Sequence, residues 1–402
     1  MNFRHIKRPE IVLLALAAVL RIGGIALSTA HVYSYSANDA IGFSHHARRI
    51  AMTTLAGQPQ TGLLFRPHLN LLGGMVKIYN LWGLILSPVY LLAGPSAIYA
   101  RFALATLSVL AVWNIFVLGQ TLHSRRTGLI AAFPVAVYPS FVLVHSTLLR
   151  EATVLFLLTG VARLAIAPPE RLSRTSRVVL CGIGLVMTAL LRWELWTLEL
   201  LTVVVGTVVY LDATTNGGVR DWLRTHRTGT LVIAIPVLYG AWRVAERAAR
   251  YLTSLHLRRA EGRTVYLADV AFRQVPQMLA FAPVAALYFL FTPFPWMVAT
   301  PADAVIAVEA LGNVAFAVAA VWGVRTLVSR SMSARIRAGW VALAIWFVAG
   351  SVLFGLGTAN VGTAVRHRQM FVWVLYLFGA VGVKWLPRKW AARLPFEIRT
   401  QQ

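Results

Sequence analysis

Residues 11–30 read IVLLALAAVLRIGGIALSTA. A helix needs about 20 apolar residues to cross a bilayer core, and this run supplies them. It is long for the apolar part of a signal peptide and no clear cleavage site follows, so it reads as a retained span. The pattern repeats along the 402 residues, with further apolar runs near 75–94, 98–119, 127–147, 150–167, 177–191, 195–211, 229–247, 273–292, 303–325, 339–358 and 369–385. Composition agrees: 58% of residues are hydrophobic and mean hydropathy is +0.67. The expected fold is all-α, a polytopic membrane protein forming a single integral membrane domain over 1–402. No internal repeat is evident.

The net charge is +24, and almost all of it is arginine, since the only lysines are Lys7, Lys77, Lys384 and Lys389. In a soluble chain this would point to nucleic acid. Here the charge sits mostly in short connections between apolar runs, where it sets orientation, so membrane lipids are the expected partner and nucleic acid is not. The guanidinium fork suits phosphate, although an arginine bias can equally reflect genome composition. The single Cys181 rules out a disulfide framework and a cysteine metal site.

Positive charge marks the cytoplasmic side. Arg4, Lys7 and Arg8 place the N-terminus there. Arg125-Arg126, the loops with Arg171, Arg174, Arg177 and with Arg220, Arg224, Arg227, the loop with Arg330, Arg335, Arg337, and the tail with Lys384, Arg388, Lys389, Arg393 belong there too. These assignments agree only if 75–94 and 273–292 do not cross but lie at the outer interface or re-enter. Lys77, Tyr79, Asn80 and Trp82 interrupt the first, and Pro276, Gln277 and Pro283 the second. About ten crossings remain, with both termini cytoplasmic and the plasma (inner) membrane as the expected location. Two long outer segments follow, 31–97 with juxtamembrane helices and 248–302, and segments of that length tend to be functional.

An ionisable group at bilayer depth costs roughly 2.5–3.5 kcal/mol on insertion scales, so the fourteen Asp and Glu residues can be weighed singly. Glu10, Glu170, Asp212, Asp221 and Glu397 read as solvated charges among inner arginines. Asp39 differs. It opens an amphipathic stretch, 38–56, with Asn38 as N-cap. It either complements the helix dipole or acts as a general base at the membrane face. Glu151 follows Arg150 at an outer turn. It is either an ion pair within that turn or a second acid organising the site. Arg192-Trp193-Glu194 occupies another outer turn. Glu199, deeper in its helix, reads as a structural partner of a neighbouring arginine, and Glu309 as a packing residue. The adjacent His45 and His46 point in different directions on a helix, which is poor metal geometry. His145 faces either the site or the core.

The last outer turn carries Gly362-Thr-Ala-Val-Arg-His-Arg368. Arg366, His367 and Arg368 run against the local charge bias, and a costly placement suggests function. Small residues before them let a lipid phosphate reach the backbone, and arginine grips phosphate through charge-assisted hydrogen bonds. Anionic-lipid anchoring is the simpler alternative. Arg66 and Arg101 can join the same anion site.

Taken in order, these features resemble the GT-C glycosyltransferases, polytopic enzymes with polyprenyl-phosphate sugar donors, around the protein mannosyltransferases and lipid A aminoarabinose transferases. Asp39 matches the acidic residue of the family's first outer loop. Residues 81–101, His123 to Ala132 with Tyr138-Pro139, Arg150-Glu151, Thr292 to Trp296 and Gly362 to Arg368 carry the rest of the likeness. It covers roughly 30–170 and 357–368. The first-loop motif is Asn38-Asp39, not a paired acid, and the second has Glu151 alone, so no metal ligand set or cofactor is expected, with a divalent cation left open. The resemblance implies inverting transfer of a sugar from a polyprenyl-phosphate donor to a lipid, glycan or protein acceptor at the outer face. Asp39 and Glu151 would be catalytic and Arg366, His367, Arg368, Arg66 and Arg101 would bind the donor phosphate. Arg150, Arg192, Glu194 and His145 would support them. A flippase or transporter of lipid-linked saccharide, or a polysaccharide polymerase or ligase using the arginines of 248–302, would need similar arginines. A transporter also predicts inverted repeats, and none is evident. A non-catalytic membrane scaffold is the remaining alternative. The glycosyltransferase reading requires Asp39 and the Arg366/Arg368 pair to converge on one outward groove.

Overall fold

The structure, a computed structural model, describes residues 8–30, 37–57, 78–260 and 264–383. Arg66, Arg4, Lys7 and the basic residues of the C-terminal tail lie outside this set. All regular structure among the described residues is helical, apart from an isolated antiparallel bridge between Val265 and Asn360. In chain order the helices are α1 (Arg8–Thr29), α2 (Ala37–Leu55), α3 (Ile78–Ala93), α4 (Ala97–Leu122), α5 (Arg125–Val137), α6 (Pro139–His145), α7 (Glu151–Ile166) and α8 (Arg174–Leu191). They continue with α9 (Trp196–Thr214), α10 (Gly218–Thr225), α11 (Arg227–Arg259), α12 (Val275–Phe291), α13 (Pro301–Ser329), α14 (Ala334–Leu356), α15 (Val361–Arg368) and α16 (Val372–Gly382).

Six helices, α1, α4, α8, α9 with the turn before it, α13 and α14, are long and apolar enough to cross a membrane, and α5 with α6 makes a seventh if that bent pair is one span. This is fewer than the ten expected. The difference lies in three elements. α7 has 16 residues, about 24 Å at the helical rise and shorter than a hydrocarbon core of about 30 Å. The described part of α16 has 11. α11 carries Arg243, Glu246, Arg247, Arg250, Arg258 and Arg259 in its second half. The two runs read as non-crossing form α3 and α12, of 16 and 17 residues, each with an internal proline, Pro88 and Pro283.

α16 is buried along its whole length and forms the centre of the core, packed between α13 and α5. Glycines allow the approach to α13. A Cβ at Gly382 would stand 1.8 Å from the Ala319 carbonyl oxygen, and one at Gly323 would stand 1.9 Å from that of Phe378. Backbone contact at small residues is how helices associate where burial from water cannot drive them.

Between α5 and α6 the chain bends by 60°. Pro139 has no N–H for the Val135 carbonyl four residues earlier, and the Ser140 N–H turns away to Glu309 Oε1 at 2.7 Å. The two carbonyls freed at the end of α5 are met by Arg21. Its Nη2 donates to Val135 O at 2.9 Å and its Nη1 to Ala136 O at 3.1 Å. A cation thus closes the carbonyl end of one helix and a carboxyl group meets an amide at the start of the next, as the helix dipole favours. Arg21 is fully buried, and its Nε donates to Ser108, whose hydroxyl also meets His145 Nδ1 at 2.7 Å.

α2 is amphipathic as expected. Ala40, Phe43, Ala47 and Ala51 recur at helical spacing and are buried against α3, and Ser44 meets the Tyr90 hydroxyl at 2.9 Å. The helix begins at Ala37, so Asn38 stands inside the first turn rather than capping it. Trp82 of α3, fully buried, donates from its indole nitrogen to Leu148 O at 2.8 Å and ties this pair to the turn before α7. The far side of the site is set by 264–266, which pairs with 359–361: Tyr266 N–H donates to Ala359 O at 2.9 Å and Val361 N–H to Thr264 O at 3.0 Å. The Asn360 side chain then caps α15 by accepting from Gly362 and Thr363.

Candidate active site

Four chain segments meet in one cluster of charges. α2 brings Asp39 in its first turn, α7 opens with Glu151, the turn after α8 holds Arg192, and the last turn of α15 holds Arg366. Arg366 Nη1 donates to Asp39 Oδ2 at 2.7 Å, joining residues 327 positions apart. Arg366 Nε donates to Glu151 Oε1, and Arg192 Nη2 donates to the same oxygen. Glu151 therefore pairs with Arg192 and Arg366 across the fold. Arg150, expected as its partner within the turn, donates instead to Leu191 O at 2.6 Å.

Arg192 Nη1 lies 3.0 Å from His367 Nε2. A guanidinium can only donate, so this nitrogen accepts and the imidazole proton is on Nδ1. Beside this pair, Arg259 donates to Gly357 O at 3.0 Å and faces Glu194 at 3.9 Å. Among the described residues, three carboxylates and four guanidiniums gather here, counting Arg150, an excess of one positive charge.

Exposure orders the cluster. The side chains of Glu151 and Arg192 are 1% and 2% accessible, Arg366 is 13% and Asp39 38%. The buried pair is a fixed base, and Asp39 stands at the open side. Burial works against the Arg366 charge, but Glu151 and Asp39 outweigh it and push its pKa above the ordinary value. Burial pulls Arg192 and Arg259 down, opposed by Glu151 and Glu194 respectively. Burial, reinforced by Arg192, Arg259 and Arg366, holds His367 well below the ordinary imidazole range, as a neutral acceptor. An arginine lies between Asp39 and Glu151 and a second guanidinium grips Glu151. A divalent cation bridging these acids would meet both positive charges, so the residues do not fit a metal.

The arrangement presents a partly exposed carboxylate beside a charged guanidinium that Glu151 holds from beneath. It can accept a proton and compensate an anion within one residue's reach.

Other expected residues lie elsewhere. Arg368, grouped with Arg366 at the sequence level, is 2% exposed and turns the other way, donating to Leu290 O at 3.2 Å and Thr292 O at 2.5 Å. Two residues along a helix are about 200° apart, so Arg366 and Arg368 cannot share a face. Arg101 donates to Thr29 at 2.6 Å, and His145 belongs to the buried network of Ser108 and Arg21. Glu199 is buried and has no ion pair among the described residues. Sequence reasoning passed over Arg259 as a partner of Glu194. It also passed over Arg21, whose signal was available as a charge inside the first apolar run.

No family model matches this chain, and no curated protein does. Among solved structures it is similar to the archaeal oligosaccharyltransferase AglB from Archaeoglobus fulgidus, determined in complex with an inhibitory peptide and a dolichol-phosphate. The identity is 14% and the TM-score 0.48, over 100% of this chain and 53% of that one. The chain thus spans about half the length of that protein.

Proposed function

We propose that this protein is a membrane glycosyltransferase that moves a sugar from a polyprenyl-phosphate donor to an acceptor at the outer face of the plasma membrane. The observation that carries the reading is the convergence of Asp39, Arg366 and Glu151 from three distant segments. In the proposed reaction the acceptor hydroxyl attacks the anomeric carbon. The bond from that carbon to the phosphate oxygen breaks with inversion, and the polyprenyl phosphate leaves with the electron pair. Asp39, the exposed carboxylate, takes the hydroxyl proton. Base assistance of this kind contributes about 10²–10⁴ in rate.

Negative charge builds on the leaving phosphate, and Arg366 is the cation placed to meet it, an effect commonly of several kcal/mol. Glu151 is better suited to organising than to proton transfer, because both cations around it hold it as an anion. His367 acts in turn by holding Arg192. Arg368 contributes by fixing the end of α15 to the end of α12. Lipid, glycan and protein remain alternative acceptor classes, and both termini are proposed to be cytoplasmic.

The test is transfer from a panel of radiolabelled polyprenyl-phosphate sugars by the full chain in nanodiscs. Asp39→Asn should lower the rate about 10²–10⁴-fold with unchanged thermal unfolding. Full activity of that variant would reject the base assignment. Labelled lipid crossing vesicles with no new glycosidic bond would replace the transferase with a transporter.

A further inference from the structure

A second group of cations lies farther along α2. Ser44 meets the Tyr90 hydroxyl at 2.9 Å, which fixes the face of α2 that looks at the end of α3. Arg48 follows Ser44 by one turn, about 40° round the helix, so it leaves α2 on that same face. It is nine residues beyond Asp39, about 13 Å along the helix axis. Arg101, in the second turn of α4, donates from Nη1 to Thr29 Oγ1 at 2.6 Å and joins α4 to the end of α1. Both guanidiniums act on the phenol. Burial pushes the Tyr90 pKa up, whereas the Ser44 bond and the charges of Arg101 and Arg48 pull it down. Four helices, α1 to α4, thus bring Thr29, Ser44, Arg48, Tyr90 and Arg101 to one end of the molecule.

These two cations have no acid to meet. From Glu10 to Glu151 the chain contains one further carboxylate, Asp39, and that one pairs with Arg366. Neither Arg48 nor Arg101 has an ion pair among the described residues. Arg48 is exposed and Arg101 half-buried, and the neighbouring rings of Tyr99 and Phe102 are exposed. α4 is long and apolar enough to cross a membrane. A spanning helix puts its first turns near headgroup depth, where arginine reaches phosphate and aromatic rings meet the acyl chains. We infer that Arg48 and Arg101 hold the phosphate of an anionic glycerophospholipid, at a site separate from the one proposed for sugar transfer. Guanidiniums from two helices give a phosphodiester charge-assisted hydrogen bonds. A zwitterionic headgroup brings an ammonium as well, and among the described residues no carboxylate pairs at this site to receive it. The bound lipid ties the shared end of α1 to α4 together.

The experiment is equilibrium binding of radiolabelled phosphatidylglycerol to the full chain in dodecyl maltoside micelles. Phosphatidylcholine, farnesyl phosphate and inorganic phosphate are the competitors. Arg48→Gln and Arg101→Gln should each weaken phosphatidylglycerol binding about fivefold, and together about thirtyfold. Arg101→Lys, which keeps the charge, should stay within about twofold. Arg49→Gln is the control. Arg49 is also exposed, but it is turned about 140° from Ser44, and its loss should change affinity less than about twofold. Equal losses at all three arginines would mean diffuse surface charge and overturn the site. So would phosphatidylcholine competing as well as phosphatidylglycerol, or no saturable binding by wild type. Inorganic phosphate competing equally would remove the lipid, and farnesyl phosphate competing more strongly would give the site to a polyprenyl lipid; either result overturns the assignment. Phosphatidylglycerol should also raise the thermal midpoint of wild type and not that of the double variant, and an equal rise in both counts against the site. If Arg101→Gln does not fold, the contrast between Arg48→Gln and Arg49→Gln decides, and equal affinities overturn the proposal.

Discussion

Arg192→Met removes one partner from the most deeply placed ion pair among the described residues. Both side chains are almost inaccessible, at 2% and 1%. An exposed pair would be worth about 0–1 kcal/mol. Breaking a buried pair from one side costs about 3–5 kcal/mol, because the partner charge is left uncompensated. Here the loss should fall toward the lower bound, since Arg366 still holds Glu151. Loss of the hydrogen bond to His367 adds about 1 kcal/mol. We therefore expect about 3–4 kcal/mol for Arg192→Met. Glu151→Gln keeps an acceptor oxygen but removes the counter-charge of Arg192 and one of those of Arg366, which keeps Asp39. Combined with Arg192→Met it should be less damaging than the sum of the two, with a coupling of about 2 kcal/mol. The assay is reversible denaturant unfolding in mixed micelles, applied to both single variants and the double. Coupling within about 0.5 kcal/mol of zero, with intact protein in all four samples, would refute the claim that the Arg192–Glu151 pair is the buried base of the site.

His367 supplies a pH test. Its folded pKa is depressed by burial, with help from the surrounding arginines. Below an unfolded value of about 6.5 the unfolded chain takes up a proton that the folded chain refuses, so stability should fall as pH drops from about 6.5, by up to about 1.4 kcal/mol per unit. His367→Gln should flatten that part of the profile, and an unchanged slope would contradict the assignment. Gly382→Val would drive a Cβ into the Ala319 carbonyl and should abolish a monodisperse fold, read by size exclusion in detergent. Gly23→Ala, with nothing within 4 Å, should be tolerated. Arg21→Leu should cost about 2–4 kcal/mol by orphaning two carbonyls. That cost should shrink beside Pro139→Ala, which restores an N–H for Val135, and equal losses in both backgrounds would reject the role given to Arg21.

Much of the fold was legible because apolar length is written in consecutive residues. The long spans and the two short helices α3 and α12 needed no tertiary information. The position of Asp39, Glu151 and Arg366 was legible for a related reason: charges in an apolar chain are few, and each must be placed somewhere that tolerates it. Partner choice was not legible. Arg150 precedes Glu151 in the chain yet bonds to a carbonyl, whereas Arg192 and Arg366 reach Glu151 from 41 and 215 positions away. The pairing of Arg366 with Arg368 failed on helix geometry, because adjacency in sequence separated them onto opposite faces. The number of crossings was not legible: the run 150–167 is apolar, yet its helix α7 has only 16 residues.

The bend between α5 and α6 has a consequence for biogenesis. Its carbonyls are met by a residue synthesised early, Arg21, but its amide partner Glu309 lies 169 positions after Ser140. While the chain emerges, the first half of the joint can mature at once. The second half must wait until α13 enters the bilayer, with Ser140 facing a provisional neighbour meanwhile. A ribosome-stalled product ending before α13 should therefore hold this joint half-formed, and cysteine crosslinks across it should mature only when the later helix has been delivered.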